Sequence, residues 1–255
     1  MRKTVSAVAA LLATAFVPAM AADIRSPAKA PAAVAAPMNW TGFYIGINGG
    51  GGMANADFLD PDCNMCANTK FQTGFGTVGG QVGYNWQWRA MVIGLEYDFN
   101  WTSAKDTKEF NDGFFSFAGL ANFKFDYFAS ARARMGLAFD NALVYVTAGP
   151  AWGHFDSSVV LGIRDPVSPT VNQLSTDKAW HMGLAAGVGV EYMLTNNWTL
   201  RGEYLFLNFK DVERPVTQVI GSGFTCGNTL KQDCVMNYTY SAHVARLGVN
   251  YKFGY

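Results

Sequence analysis

Hydrophobic and polar residues alternate with period two from Asn39 onward, in runs broken by turns that come alternately short and long. Successive side chains of an extended strand point to opposite faces, so each run sorts into two sets. The first sets Phe43, Ile45 and Ile47 against Tyr44, Gly46, Asn48 and Gly50. From about Phe75 to Trp88, residues Val78, Val82, Tyr84, Trp86 and Trp88 oppose Gly79, Gln81, Gly83, Asn85 and Gln87. After a tight turn at Arg89-Ala90, Met91, Ile93, Leu95, Tyr97, Phe99 and Trp101 oppose Gly94, Glu96, Asp98 and Asn100. A fourth run, near Phe123 to Leu137, places Tyr127, Ala129, Ala131, Ala133 and Met135 against Asp126, Ser130, Arg132 and Arg134.

A short turn at Phe139-Asp140-Asn141 leads to the fifth run, Leu143 to Gly153, with Tyr145, Thr147 and Gly149 assigned to its inward face. The sixth sets Trp180, Met182, Leu184, Ala186, Val188, Val190 and Tyr192 against His181, Gly183, Ala185, Gly187, Gly189 and Glu191. Asn196-Asn197 turns it into the seventh, where Leu200, Tyr204 and Phe206 oppose Thr199, Arg201 and Glu203. The eighth sets Leu247, Val249, Tyr251, Phe253 and Tyr255 against Arg246, Gly248, Asn250 and Lys252. Long loops are expected near Asp57–Phe71, Thr102–Asn122, Phe155–Lys178 and Lys210–Asn237. The fold class is therefore all-β: an eight-stranded antiparallel up-and-down barrel whose short turns lie at one end and long loops at the other.

Alternation alone does not tell a soluble barrel from one in a membrane. The tryptophans bear on the choice, since Trp40, Trp86, Trp88 and Trp198 fall on the short-turn side and Trp101, Trp152 and Trp180 on the long-loop side. Two aromatic belts at two interfaces are what a transmembrane β-barrel presents. The opposite face carries Glu96, Asp98, Arg132, Arg134, Glu191, Arg201, Glu203, Arg246 and Lys252. In a barrel this narrow, side chains fill the interior, and an unpaired buried charge costs several kcal/mol. These nine residues are therefore expected to form one connected network in the lumen.

The N-terminus adds direction. Arg2 and Lys3 precede an apolar run from Val5 to Val17 that ends in Pro18-Ala19-Met20-Ala21, which reads as a signal peptide over residues 1–21. Residues 22–38, with Pro27, Pro31 and Pro37, read as an Ala/Pro-rich periplasmic tether, and 39–255 as the barrel. No later segment supplies the roughly 20 apolar residues of a transmembrane helix, so a membrane location requires strands. Nineteen basic residues balance 19 acidic ones, which gives no footprint for nucleic acid. Four cysteines, Cys63, Cys66, Cys226 and Cys234, are candidate disulfide partners in an oxidising compartment. They either close locally, Cys63 with Cys66 and Cys226 with Cys234, or pair across two loops that a closed barrel makes neighbours.

The run Asn39-Trp40-Thr41-Gly42-Phe43-Tyr44-Ile45-Gly46 and the stretch Ala131-Arg132-Ala133-Arg134-Met135-Gly136 followed by Tyr145-Val146-Thr147-Ala148-Gly149 resemble the alphaproteobacterial outer-membrane immunogenic or opacity-type family of porin-like barrels. Tyr251, Phe253 and Tyr255 look like the terminal signal such proteins present to the barrel-assembly machinery. The resemblance spans essentially the whole mature chain. It implies an abundant cell outer membrane protein among lipid and lipopolysaccharide that stabilises the envelope, with weak pore activity in some members. It carries no cofactor, and neither it nor the pattern specifies an oligomeric state.

Other chemistries are weaker. The lumen charges admit two readings, a structural plug or a narrow ion path, of which the plug is the simpler. Ser241 and His243 near the end of the last strand suggest a barrel lipid hydrolase, which would need the two in hydrogen-bond reach and an orienting acid, but no matching motif appears and strand-end polarity is the simpler reading. His154 and His181 bracket a loop without metal-ligand spacing. The chain therefore reads as non-enzymatic, with adhesion or ligand binding through the long loops as the alternative role.

Overall fold

The alternating runs become strands whose backbone groups find partners only in neighbouring strands. A computed structural model describes residues 39–59, 69–112, 117–163, 170–215, 217–218 and 235–253. They form β1 (Gly42–Leu59), β2 (Thr69–Trp88), β3 (Met91–Asp112), β4 (Phe117–Phe139), β5 (Ala142–Ile163), β6 (Thr170–Met193), β7 (Trp198–Phe209), β8 (Val212–Pro215), β9 (Thr217–Gln218) and β10 (Val235–Phe253). Each strand from β1 to β7 pairs antiparallel with the next, β7 pairs with β10, and β10 returns to β1 with Phe43 opposite Phe253. The ring thus closes on eight long strands and has no open edge, as hydrocarbon demands. The short β8 pairs with β10 and β9 with β6, so beyond Phe209 the chain still spans the gap between the neighbours of β7.

At one end the strands join through tight turns, where Arg89 and Asp140 take positive φ values of 56° and 49°. The inward and outward sets of the lower strands are as the alternation gave them: Phe43, Ile45, Leu95, Leu184 and Leu247 face outward, and Tyr44, Asn48, Gln81 and Glu191 inward.

The segments expected as long loops differ from that reading. β3 continues to Asp112, β4 begins at Phe117, β5 runs to Ile163 and β6 starts at Thr170. Strands of 22 to 24 residues are twice the 9–11 needed to cross a bilayer. The surplus explains itself by an exchange of faces. Near the outer end the outward positions become polar, among them Lys70, Lys105, Asn122, Asp156 and Lys178, while Phe58, Phe71, Phe123, Phe125, Phe155, Tyr238 and Tyr240 are buried inside. That is the arrangement of a water-soluble barrel, and it marks where the wall leaves the lipid.

In β4 the exchange is made by an irregularity between Phe125 and Tyr127. Ser130, Arg132 and Arg134 face inward at even positions, and beyond the bulge Ala121, Phe123 and Phe125 face inward at odd ones. Asp126, expected on the inward face, is instead on the outside, where its carboxylate meets Lys124 at 2.6 Å and His154 at 3.2 Å.

The tryptophans need one correction. Trp86, Trp88 and Trp198 are exposed near the tight turns, and Trp101 and Trp180 are exposed at the outer level. Trp40, expected in the belt, is buried within the bore with Val92, Leu143, Tyr145 and Met193. It precedes β1 and folds inward, its backbone N–H donating to Gln87 Oε1 at 2.7 Å.

Candidate functional site

The bore is filled in tiers, and the ionic tier at mid-height is its chemical centre. β3 supplies Glu96 and Asp98, β4 supplies Arg132 and Arg134, β6 Glu191, β7 Arg201 and Glu203, and β10 Arg246. Register sets them side by side, with Glu96 opposite Arg132, Glu191 opposite Arg201, and Glu203 opposite Arg246. Four carboxylates therefore meet four guanidinium groups, and all eight are buried.

The contacts make one network. Arg132 reaches Glu96 at 2.6 Å, Asp98 at 3.1 Å and Glu203 at 3.2 Å. Arg201 grips both oxygens of Glu96, at 2.5 and 3.0 Å, and stands 2.8 Å from Glu203. Arg246 closes on Glu203 at 2.7 Å and Asp98 at 2.5 Å. Arg134 holds Glu191 at 2.7 Å and lies over the Tyr145 ring, 4.0 Å from its centroid. Tyr44 donates to Glu96 at 2.7 Å, Tyr145 to Glu203 at 3.0 Å, and Ser130 to Asp98 at 2.5 Å. Small neighbours make the tyrosines possible: a Cβ at Gly83 would fall 2.4 Å from Tyr44, and one at Gly189 2.4 Å from Tyr145.

Lys252, grouped with these charges by its alternation, is buried but stands apart. Its ammonium donates to the Asn39 carbonyl near the tight-turn end, beside the Trp40 cap. An amide layer lies alongside, where Asn48 donates to Gln81 at 2.7 Å, Gln81 to Asn250 at 2.6 Å and Asn250 to Glu191 at 2.8 Å.

Above the ionic tier the bore turns aromatic. Phe125 stacks on Phe155 at 4.7 Å, and Phe155 on Tyr240 at 4.0 Å. Within it Asp177 accepts from Arg214 at 2.8 Å, the Tyr240 hydroxyl lies 3.0 Å from both Asp177 and Ser157, and Tyr238 donates to Ser175 at 2.9 Å. His181 Nε2 is 2.8 Å from Asp177, close enough for an ion pair but not aligned as a hydrogen bond. Burial pushes the Asp177 carboxyl upward, yet His181, Arg214 and Tyr240 outweigh it and hold the group below the usual carboxylate value.

The remaining candidates separate. His154 and His181 sit on opposite faces of the wall, so they do not share a ligand. His243 is on the outside with its Nδ1 2.7 Å from the Tyr204 hydroxyl, and no described carboxylate pairs with it. Ser241 lies one pleat away on the same strand, opposite Asn208 and Asn55. Phe253 is exposed on the outer wall with Tyr251 beside it, 4.9 Å between ring centroids. Tyr255 and all four of Cys63, Cys66, Cys226 and Cys234 lie outside the described residues, as do residues 1–38.

Residues 7–253 match the family described as outer membrane protein beta-barrel domain. The 31 kDa outer-membrane immunogenic protein of Brucella melitensis is 34% identical over 97% of this chain and 98% of its own length. The 22 kDa outer membrane protein of Rhizobium leguminosarum bv. viciae is 32% identical over 68% of this chain and 65% of its own. Among solved structures, OprG of Pseudomonas aeruginosa superposes with a TM-score of 0.43 at 11% identity, covering 85% of this chain and 98% of OprG.

Proposed function

The chain belongs to the outer membrane protein beta-barrel family, and from that premise we propose that it is a sealed, non-enzymatic barrel that stiffens the envelope and exposes a rigid rim to the outside. The observation that carries this reading is the ionic tier: Arg132 is bound at once to Glu96, Asp98 and Glu203, with every partner almost wholly buried. An ion path needs hydrated charge and room to move. Here four acids and four arginines neutralise one another, with the Trp40 cap on one side and the stacked Phe125, Phe155 and Tyr240 on the other.

Planar-bilayer recording of the purified, folded chain tests it. The expected result is a silent membrane, with openings no more frequent than in protein-free controls. Steady openings whose size changes in Glu96→Gln or Arg132→Gln would replace the seal with a pore.

A second reading rests on the length of the strands. Strands β3 to β6 continue about ten residues beyond Trp101, Tyr127, His154 and Trp180, roughly 30 Å along the strand, on a packed aromatic core. Such a platform suits adhesion or ligand capture by the connections it carries. Exchanging those connections for short turns is expected to abolish any such binding while the barrel still folds. Passage through the barrel-assembly machinery, with Tyr251, Phe253 and Tyr255 as its signal, belongs to the same proposal.

A further inference from the structure

The wall that β3 to β6 turn to the membrane carries three chemistries in vertical order. The upper row is fixed by register: Lys105 stands opposite Lys124, Lys124 opposite Asp156, and Asp156 opposite Lys178. Two to four residues below, Trp101, Tyr127, His154 and Trp180 form a second row, each directly opposite the next. Three of these rings cluster, with Tyr127 stacked 6.0 Å from Trp180 and His154 5.5 Å from it, while Trp101 packs edge-on against Phe99 at 5.0 Å. Lower still the wall is cut back to Ala133, Ala148 and Ala186, which floor a depression of about 590 Å³ flanked by Ile93, Met135 and Tyr204.

The upper row is electrostatically incomplete. Asp126 neutralises Lys124 at 2.6 Å and Asp156 neutralises Lys178 at 3.1 Å, while no described acid pairs with Lys105. Three lysines against Asp126 and Asp156 leave the row one net positive charge, centred on Lys105, and because like charges directly opposed across a sheet destabilise it, an anion beside Lys105 would relieve what repulsion Asp126 leaves between Lys105 and Lys124. Asp126 and Asp156 hold the Lys124 ammonium above its ordinary pKa, so the charge persists at any physiological pH. Lys105 and Lys178 lie three strand spacings apart, roughly 14 Å, a span wider than one phosphodiester headgroup.

We infer that this wall is a docking site for a phosphorylated, acylated glycolipid of the lipid A class. One phosphate sits against Lys105 and Lys124 and the second is within reach of Lys178. The sugar rests on the aromatic row, and an acyl chain occupies the alanine depression. The order of the three tiers is the order in which such a lipid leaves the hydrocarbon: chain, sugar, phosphate. The inference needs the barrel's placement in the outer membrane but not a closed bore, so a conducting barrel would leave it standing.

Native mass spectrometry of the full chain tests it, with bisphosphorylated lipid A, lipid A stripped of phosphate, phosphatidylglycerol and inorganic phosphate as probes. Bisphosphorylated lipid A is expected to stay bound through detergent exchange, and the other three are not. Lys105→Glu combined with Lys124→Gln is expected to weaken retention by about thirtyfold, roughly fivefold for each lysine lost and more for the reversal. Ala148→Leu fills the depression without touching a charge and is expected to weaken it too. Heat-dependent electrophoretic mobility reports that each variant has folded; Lys105→Glu alone, at an exposed position without a described acid partner, decides the matter should Ala148→Leu not fold. Retention of phosphatidylglycerol equal to that of lipid A, or retention unmoved by Lys105→Glu, overturns the site. Complete displacement by inorganic phosphate would reduce it to a simple anion site and overturns the lipid assignment.

Discussion

Glu96 accepts from Arg132, Arg201 and Tyr44 at once, and what each residue contributes depends on the others staying. Breaking a buried pair from one side leaves the partner charge stranded, at a cost of about 3–5 kcal/mol, whereas the intact pair is worth little over an apolar filling. Glu96→Gln is therefore expected to lower stability by about 3 kcal/mol or more, read as the shift in urea midpoint of barrels folded into lipid vesicles. Glu109→Gln, an exposed acid on the same strand, is expected to change it by less than about 0.5 kcal/mol. Eight of the nine charges that the alternation grouped meet in one network, because a strand has only two faces and the charges of these runs fell on one, while Lys252 stands apart on the Asn39 carbonyl. Trp40 was not legible in the sequence, since it precedes the first alternating run and its inward turn depends on Gln87, a residue 47 positions away.

At the scale of the element, the bulge in β4 decides which residues share a face. Alternation read straight through Asp126 puts its carboxylate in the bore and Phe123 and Phe125 outside, which is the reverse of what the strand does. One extra residue inverts every position beyond it, and nothing local in the sequence announces the insertion. The other strands carried a usable sign that composition disguised. Asn237-Tyr238-Thr239-Tyr240-Ser241-Ala242-His243-Val244 alternates cleanly, but its polar content reads as loop unless water is assumed on the outside.

Asp177 on β6 joins Arg214 on β8 to Tyr240 on β10, so it ties three elements across the outer bore. Its folded pKa lies below the unfolded one, so it contributes stability above about pH 4 that is lost as pH falls through the folded value. Amide protection in β8 and the outer half of β10, measured against the intrinsic exchange rate at each pH, is expected to fall as pH drops below about 4. In Asp177→Asn that acid step should vanish and exchange should already be faster at neutral pH; an unchanged acid step in the variant would assign it elsewhere.

Across the whole molecule, one chain solves two solvation problems with one topology. The lower half turns apolar side chains to lipid and packs ions inside; the outer half turns polar side chains to water and packs rings inside. The eight-strand meander followed from the runs and turns, because closure is the only arrangement that leaves no strand edge in hydrocarbon. The extent of the strands did not follow, since period two carries no label for which medium lies outside.

The most direct measurement is a spin-label accessibility scan along β6 in lipid vesicles, with oxygen as the lipid-soluble probe and a nickel chelate as the aqueous one. Labels at Leu184, Val188 and Val190 are expected to meet oxygen, and labels at Thr176 and Lys178 the chelate. Labels at the inward positions Ala185 and Glu191 are expected to meet neither. Chelate access at Ala185 or Glu191 would mean that water fills the bore, and would contradict a packed interior.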